Sequence, residues 1–359
     1  MTDGKGLHIM TGMQSGVGNG TPVQSGARRS RAWFWALLIV LVGPVVAALT
    51  LGIIGIFLAA ASLTPAHRAA AGEDEAPRMR ETWSCGHGDI KVVRIPVSGV
   101  LVEGDDGGLF ASRGPVEEAL RQIHAATHDH DTMAIILEIN SPGGGMTASD
   151  LIYKALVDFK RELPGRKVVA LLGDIAASGG YYVAAAADYI MAQPTTLTGS
   201  FSVIISKINV KGLGDQYGVK LDTIKSGRNK DMLSPFAEMS DEQRKILQDV
   251  VDELHGRFVS LIAEARPELS EEDVRQLADG RVFTGGKARE YKLVDEIGYW
   301  DDAVSRTCKL LDVDDIKVFR YGEEFSLSAL LSGVQPVRLT VAGLVDRLAR
   351  TRVLTMWQL

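Results

Sequence analysis

Gly173-Asp174-Ile175-Ala176-Ala177-Ser178-Gly179-Gly180-Tyr181-Tyr182 is the stretch on which the reading of this chain turns. Upstream, Val168 to Leu172 is an apolar run of strand length. Downstream, Tyr181 to Ala187 is a small-residue segment that reads as a helix. A strand, a turn and a helix opened by two glycines set Ser178 at a helix N-terminus, where unpaired backbone N–H groups favour developing negative charge. That is one way to display a serine nucleophile. The plainer reading makes Ser178 only the N-cap of an ordinary strand-to-helix turn.

Working outward, strand-like and helix-like segments alternate. Val92 to Val102 reads as a strand, Pro115 to Ala126 as a helix, Met133 to Ile139 as a buried strand and Thr147 to Arg161 as a helix. This alternation predicts an α/β fold built from parallel βαβ units. Two further glycine-containing segments accompany the first. Asn140-Ser141-Pro142-Gly143-Gly144-Gly145 closes the Met133 to Ile139 strand, and Lys225-Ser226-Gly227-Arg228-Asn229-Lys230-Asp231-Met232 follows the Ser178 segment by about fifty residues. Both the serine and the glycine turn fall at C-terminal strand ends, the edge where sites collect in such sheets. A phosphate loop is a poor reading of the glycine turn, since no Gly-Lys-Ser/Thr follows it.

A serine hydroxyl becomes a nucleophile when a nearby base takes its proton, and a lysine serves as that base only when neutral. A Ser/Lys pair needs no histidine, and all seven histidines lie outside the three glycine-containing segments. His124, His128 and His130 sit around a polar loop that reads as a solvated connection rather than a metal site.

Taken together, the three segments resemble the signal peptide peptidase A family of membrane-bound Ser/Lys proteases, in its short, single-catalytic-domain form. The resemblance covers roughly Val92 to Leu311. It implies a ClpP/crotonase-like fold, with Ser178 as nucleophile and Lys230 as general base. The family's Ser-Gly-x-x-Lys-Asp pattern falls on Ser226 to Asp231, which favours Lys230 over its neighbour Lys225. Ser200, in Leu197-Thr198-Gly199-Ser200, matches the family position whose hydroxyl orients the lysine, although an ordinary turn residue before a strand Phe201 to Ile205 is the bland alternative. Gly179 and either Gly144 or Gly145 are the expected oxyanion-hole donors. Ser202 stands where the family usually has glycine, which puts substrate preference more in doubt than the catalytic set. The resemblance also implies a membrane-tethered, bowl-shaped ring in which each lysine serves a neighbour's serine. Remnant signal peptides are the implied substrates, and no metal or cofactor is implied.

Composition sets the remaining bounds. A net charge of −6 argues against a nucleic-acid partner. From Ala32 to Ala66 there is no charged residue, and the apolar run through Leu63 is long enough to span a bilayer. Arg28, Arg29 and Arg31 precede it, whereas Glu73, Asp74 and Glu75 follow. This bias predicts a single-pass anchor with a cytoplasmic N-terminus and an extracytoplasmic catalytic region, and the family resemblance implies that the membrane is the bacterial inner one. A cleaved secretory signal is the alternative, with an unusually long apolar core.

The expected organisation is therefore a disordered cytoplasmic tail at 1–31, an anchor at 32–63 and a stalk at 64–90. A peptidase domain follows at 91–311, then a tail at 312–359 with amphipathic apolar positions. Ser240 with Gln243 and Ser270 with Asp273 predict capping boxes that open two helices, and Thr284 caps a third. Cys85 and Cys308 could pair in an oxidising compartment. Two readings from other classes stand beside the protease: an acyl-CoA hydratase or isomerase of the same fold, and a catalytically silent membrane scaffold.

Overall fold

The apolar runs Met133 to Ile139 and Val168 to Leu172 become neighbouring parallel strands at the centre of a sheet covered on both faces. The computed structural model describes residues 77, 79–103, 114–322 and 354–356. The segments expected to form the cytoplasmic tail and the anchor, 1–31 and 32–63, lie outside them. Among the described residues no helix is long and apolar enough to cross a membrane.

In chain order the elements are β1 (Arg80–Cys85), β2 (Ile90–Ser98), α1 (Pro115–His128), β3 (Thr132–Ser141), β4 (Gly143–Gly145), α2 (Met146–Glu162), β5 (Lys167–Ala177), α3 (Gly179–Ala184), β6 (Tyr189–Ala192), β7 (Leu197–Gly199), α4 (Lys211–Tyr217), α5 (Asp241–Ala265), α6 (Glu271–Leu277), β8 (Val282–Thr284), α7 (Gly285–Glu290), β9 (Glu296–Ile297), α8 (Trp300–Leu311), β10 (Ile316–Gly322) and β11 (Leu354–Met356). Among the described residues the main sheet has nine strands, with the path β1-β10-β2-β3-β5-β6-β9 and with β7 and β8 branching from β5. Its interior pairs are parallel, while β1 on β10 and β8 on β7 are antiparallel.

Period-two alternation divides the core. Val93, Ile95, Ile135, Leu137, Val168 and Ala170 face a cluster with Ile123 of α1 and Ile152, Leu156 and Phe159 of α2. The intervening Val92, Ala134, Ile136, Val169 and Leu171 face Ala303 and Cys308 of α8. Because both faces are buried, the central strands read as continuous apolar runs rather than as alternating ones. Each fully buried Ile or Leu contributes roughly 1.5–3 kcal/mol.

Several elements differ from the sequence reading for identifiable reasons. β5 continues five residues past Leu172, because Ile175 to Ala177 find a second parallel partner in β7 and Ser141 of β3 lies opposite Ala176. The expected strand Phe201 to Ile205 does not form. Ser200 has φ 56°, the Ser202 amide turns back onto the Ser200 carbonyl at 2.9 Å, and Phe201 drops into the core. Three strands fall in stretches assigned to the stalk and the tail: β1; β10, which pairs in parallel with β2 and antiparallel with β1; and β11, which pairs antiparallel with β4. Cys85 packs against the cluster that contains Cys308, and both are free thiols, so the disulfide that an oxidising compartment would permit is not formed.

The capping boxes at Ser240 and Ser270 are both present, and the Thr284 side chain accepts from the Lys287 amide. The C-terminal half of α5 buries Phe258, Val259, Leu261 and Ile262, whereas its first half stays largely open to solvent. Between α4 and α5 the chain forms turns without helix or strand. In and around α4 and these turns, Ile208, Leu213, Tyr217, Val219, Leu221 and Ile224 are all exposed.

Candidate active site

The ends of three parallel strands build the site. Ser141 ends β3, Ala177 ends β5 and Gly199 ends β7, with Ser141 opposite Ala176 and Ala177 opposite Gly199. Ser178 and Ser200 therefore leave the sheet side by side, about one strand spacing (~4.8 Å) apart along the backbone.

Ser178 occupies a sharp elbow with φ 54° and ψ −118°. A non-glycine residue in that region stores about 1–3 kcal/mol of strain, a cost met where the surroundings over-determine the turn. Here its amide donates to the Gly199 carbonyl at 2.7 Å, and its carbonyl accepts from the Tyr182 amide at 2.9 Å. The Ser178 side chain makes no capping bond, so the N-cap reading fails. Its Oγ is buried and has no hydrogen-bond partner among the described residues. A buried unpaired hydroxyl is costly and rare, and it is the arrangement a nucleophile awaiting its base requires. The helix behind it, α3, has only six residues, so any oxyanion stabilisation falls to individual amides rather than to a macrodipole. The Gly179 amide, at the first helical position, has no intrahelical acceptor.

The glycine turn packs against this elbow. Ser141 Oγ donates to the Gly99 carbonyl at 2.6 Å and accepts from the Gly143 amide at 3.1 Å. Leu101 exchanges two bonds with the turn: its amide donates to the Gly143 carbonyl at 2.9 Å, and its carbonyl accepts from the Gly145 amide at 2.7 Å. The Gly145 amide is therefore engaged in this arrangement. A side chain at Gly144 is excluded, since its Cβ would lie 2.1 Å from the Leu101 carbonyl oxygen. On the other edge of the turn lies β11, antiparallel, with Leu354 opposite Gly145 and Met356 opposite Gly143. Beside Gly145 a cavity of about 390 Å³ opens between Val102, Glu103, Met146, Thr147, Ala148 and Leu254 of α5.

Ser200 is buried, and its amide is fixed by the Arg281 carbonyl at 2.7 Å. Lys230 lies elsewhere, on the exposed turns before α5. Lys225 forms an ion pair with Asp231 at 2.6 Å and donates to the Arg228 carbonyl at 3.1 Å. The hydrogen bond from Lys225 is the main cause holding the Asp231 carboxyl below its ordinary range. Arg228 and Asn229, which precede Lys230, both donate to Glu242 in the first turn of α5. Further along the same helix, Arg257 donates to Asp150 Oδ1 at 2.7 Å and to the Tyr182 hydroxyl at 3.3 Å, and that hydroxyl donates to Asp150 Oδ1 at 2.6 Å. At 1.5 Å per residue, Glu242 and Arg257 are about 22 Å apart. One chain thus brings together Ser178, Ser200, Gly144, Gly145 and Gly179, while its own Lys230 is exposed and makes no hydrogen bond to the buried Ser178 Oγ. Asp150, Tyr182 and Arg257 gave no signal in the sequence, because no spacing links an aspartate on α2 to an arginine more than a hundred residues later.

Residues 160–314 match peptidase family S49. A candidate signal peptide peptidase SppA from Enterococcus faecium is 37% identical over 243 residues, covering 67% of this chain and 70% of the relative. A candidate protease from Synechocystis is 38% identical over 228 residues, covering 64% and 77%. Among solved structures, a point mutant of ClpP1 from Listeria monocytogenes aligns with a TM-score of 0.38 and 18% identity over 58% of this chain and 93% of that one. The chain belongs to peptidase family S49 and is a serine protease acting on peptides.

Proposed function

We propose that the chain is a membrane-anchored endopeptidase whose dyad is shared between neighbouring copies. Ser178 is the nucleophile, and Lys230 of an adjacent copy is the general base. The observation that carries this reading is the strained, buried Ser178 hydroxyl without a partner, beside a Lys230 that its own chain leaves exposed. Lys225 is a poorer candidate because it is already committed to Asp231. The exposed apolar residues from Ile208 to Ile224 supply an association surface next to the lysine segment, as a ring of copies requires.

In this mechanism a peptide carbonyl settles beside the elbow. Ser178 Oγ attacks it while the neutral lysine takes the proton, with Ser200 orienting the amine. The tetrahedral oxyanion is held by the Gly179 amide and by one amide of the Gly144–Gly145 turn; for Gly145 that requires release of the Leu101 carbonyl. Removing one oxyanion-hole donor in a related hydrolase costs about 2.7–4 kcal/mol. The ammonium then protonates the leaving amine, and the regenerated lysine activates water to release the acyl-enzyme. Remnant signal peptides are the proposed substrates. They suit an apolar cavity beside Gly145 and an anchor at 32–63 that places the catalytic unit at the outer face of the cytoplasmic membrane.

The test uses the full chain in detergent with an apolar fluorogenic peptide, comparing wild type, Ser178→Ala, Lys230→Ala and a co-expressed mixture of the two variants. Activity in wild type, none in either variant and partial recovery in the mixture is the expected pattern. Full activity of Lys230→Ala would sink the assignment. A folded, oligomeric wild type that neither cleaves peptide nor reacts with a fluorophosphonate would leave the scaffold reading.

A further inference from the structure

The cluster of Asp150, Tyr182 and Arg257 lies outside the reacting groups but joins all the elements that carry them. Asp150 is on α2, the helix that starts directly after the glycine turn. Tyr182 is one turn past Ser178 on α3, fully buried, with its ring 5.1 Å from Phe258 and 5.6 Å from Tyr153. Arg257 is on α5, whose first turn holds both residues preceding Lys230 through Glu242. Phe258, next to Arg257, also packs on Phe201, the residue after Ser200, at 5.8 Å. A single helix of 25 residues thus touches the serine elbow about two-thirds of the way along and the lysine segment at its first turn.

We infer that Asp150, Tyr182 and Arg257 form a positioning clasp that couples the serine of one site to the lysine its chain presents to the next site. The inference rests on the shared dyad proposed above. A helix is stiff along its axis, so a shift of the α3 elbow on substrate binding passes through Arg257 to Glu242 and reorients the lysine offered to the neighbour. Sub-ångström displacement is enough to matter, because misplacement of a reacting group by about 1 Å costs up to about a hundredfold in rate.

Arg257→Gln tests this, since glutamine leaves the buried Phe258 and Tyr182 in place and removes only the two-pronged grip. In the homomeric full-length enzyme, kcat per serine titrated with a fluorophosphonate falls about tenfold and KM stays within about twofold, while the melting temperature falls by no more than about 2–4 °C, as expected for losing a part-exposed ion pair. The discriminating arm uses co-expressed Ser178→Ala and Lys230→Ala chains, where each working site takes its serine from the latter and its lysine from the former. With coupling, Arg257→Gln lowers kcat whichever of the two chains carries it. A purely local role lowers it only in the serine-donating chain, and that result overturns the inference, as does an unchanged kcat in the homomer. A mixture that stays inactive beside an active wild type overturns the shared dyad itself, and the coupling with it.

Discussion

Gly180→Ala is the smallest change that should separate folding from catalysis here. Gly180 is the second residue of α3, and a Cβ built on it lies 2.6 Å from the Ser141 carbonyl oxygen, a backbone atom at the end of β3. Helix propensity alone would favour alanine by about 0.8–1 kcal/mol. The contact must open by more than half an ångström before it becomes tolerable, and Ser141 is held in place by its bonds to Gly99 and Gly143. The helix is therefore the partner that moves, and overpacking of this kind costs about 1–3 kcal/mol, which outweighs the propensity gain. Ser178 lies two residues away on the same rigid elbow, so its hydroxyl moves by a comparable distance. A kcat loss of about 10- to 100-fold follows. Peptide hydrolysis, the second-order rate of fluorophosphonate labelling and a thermal melt measured on the same preparation decide the matter. A folded Gly180→Ala enzyme with kcat within about twofold of wild type would show that the packing of α3 on β3 does not set the position of Ser178.

Three further outcomes are expected. Leu254→Trp fills much of the cavity beside Gly145; the ratio of kcat/KM for substrates with a large apolar side chain there to those with alanine should fall by about tenfold or more, and an unchanged ratio across a peptide library would remove this cavity from substrate recognition. Ile224→Asp places a charge on a fully exposed apolar residue; sedimentation should show dissociation of the assembly and loss of peptide hydrolysis with the unit still folded, whereas an intact, active oligomer would exclude this surface from the interface. For Asp150, burial opposes its charge, but hydrogen bonds from Tyr182 and Arg257 prevail and hold the carboxyl below its ordinary value of 3.8. A group whose folded-state pKa is lowered adds stability above its unfolded pKa and loses it as pH falls through the folded value. Denaturation of wild type and Asp150→Asn should therefore differ near neutral pH and converge as pH falls below 3.8, and a gap that persists in acid would contradict the charged clasp.

The central βαβ order was legible because Met133 to Ile139 and Val168 to Leu172 are buried on both faces and so advertise themselves as apolar runs. Capping chemistry is local, which is why Ser240, Ser270 and Thr284 marked their helices correctly. Pairing is not local, and the misses follow from that. β1 carries Arg80 and Glu81 and reads as polar stalk, and β10 carries Lys317 and Arg320 and reads as part of an amphipathic tail, until the two are seen paired with each other. The extension of β5 through Asp174 depends on β7, some twenty residues ahead. Of the candidate site, Ser178 stood out from its strand-turn-helix setting and Ser200 entered through the family resemblance, whereas the clasp exists only because α2, α3 and α5 meet in space.

The pairing of β11 with Gly143 to Gly145 bears on what this protease can handle. Three glycines in a row present no side chains to a visitor, so a strand laid along that edge is held by its main chain and by what its own residues can reach. Were β11 displaced from it, such an edge would hold extended backbone of almost any sequence and exclude helices and folded loops, whose amides and carbonyls are already spent on each other. Conformation would then act as a filter ahead of side-chain preference: a polypeptide qualifies by being unfolded near the elbow, and the cavity beside Gly145 only ranks those that qualify.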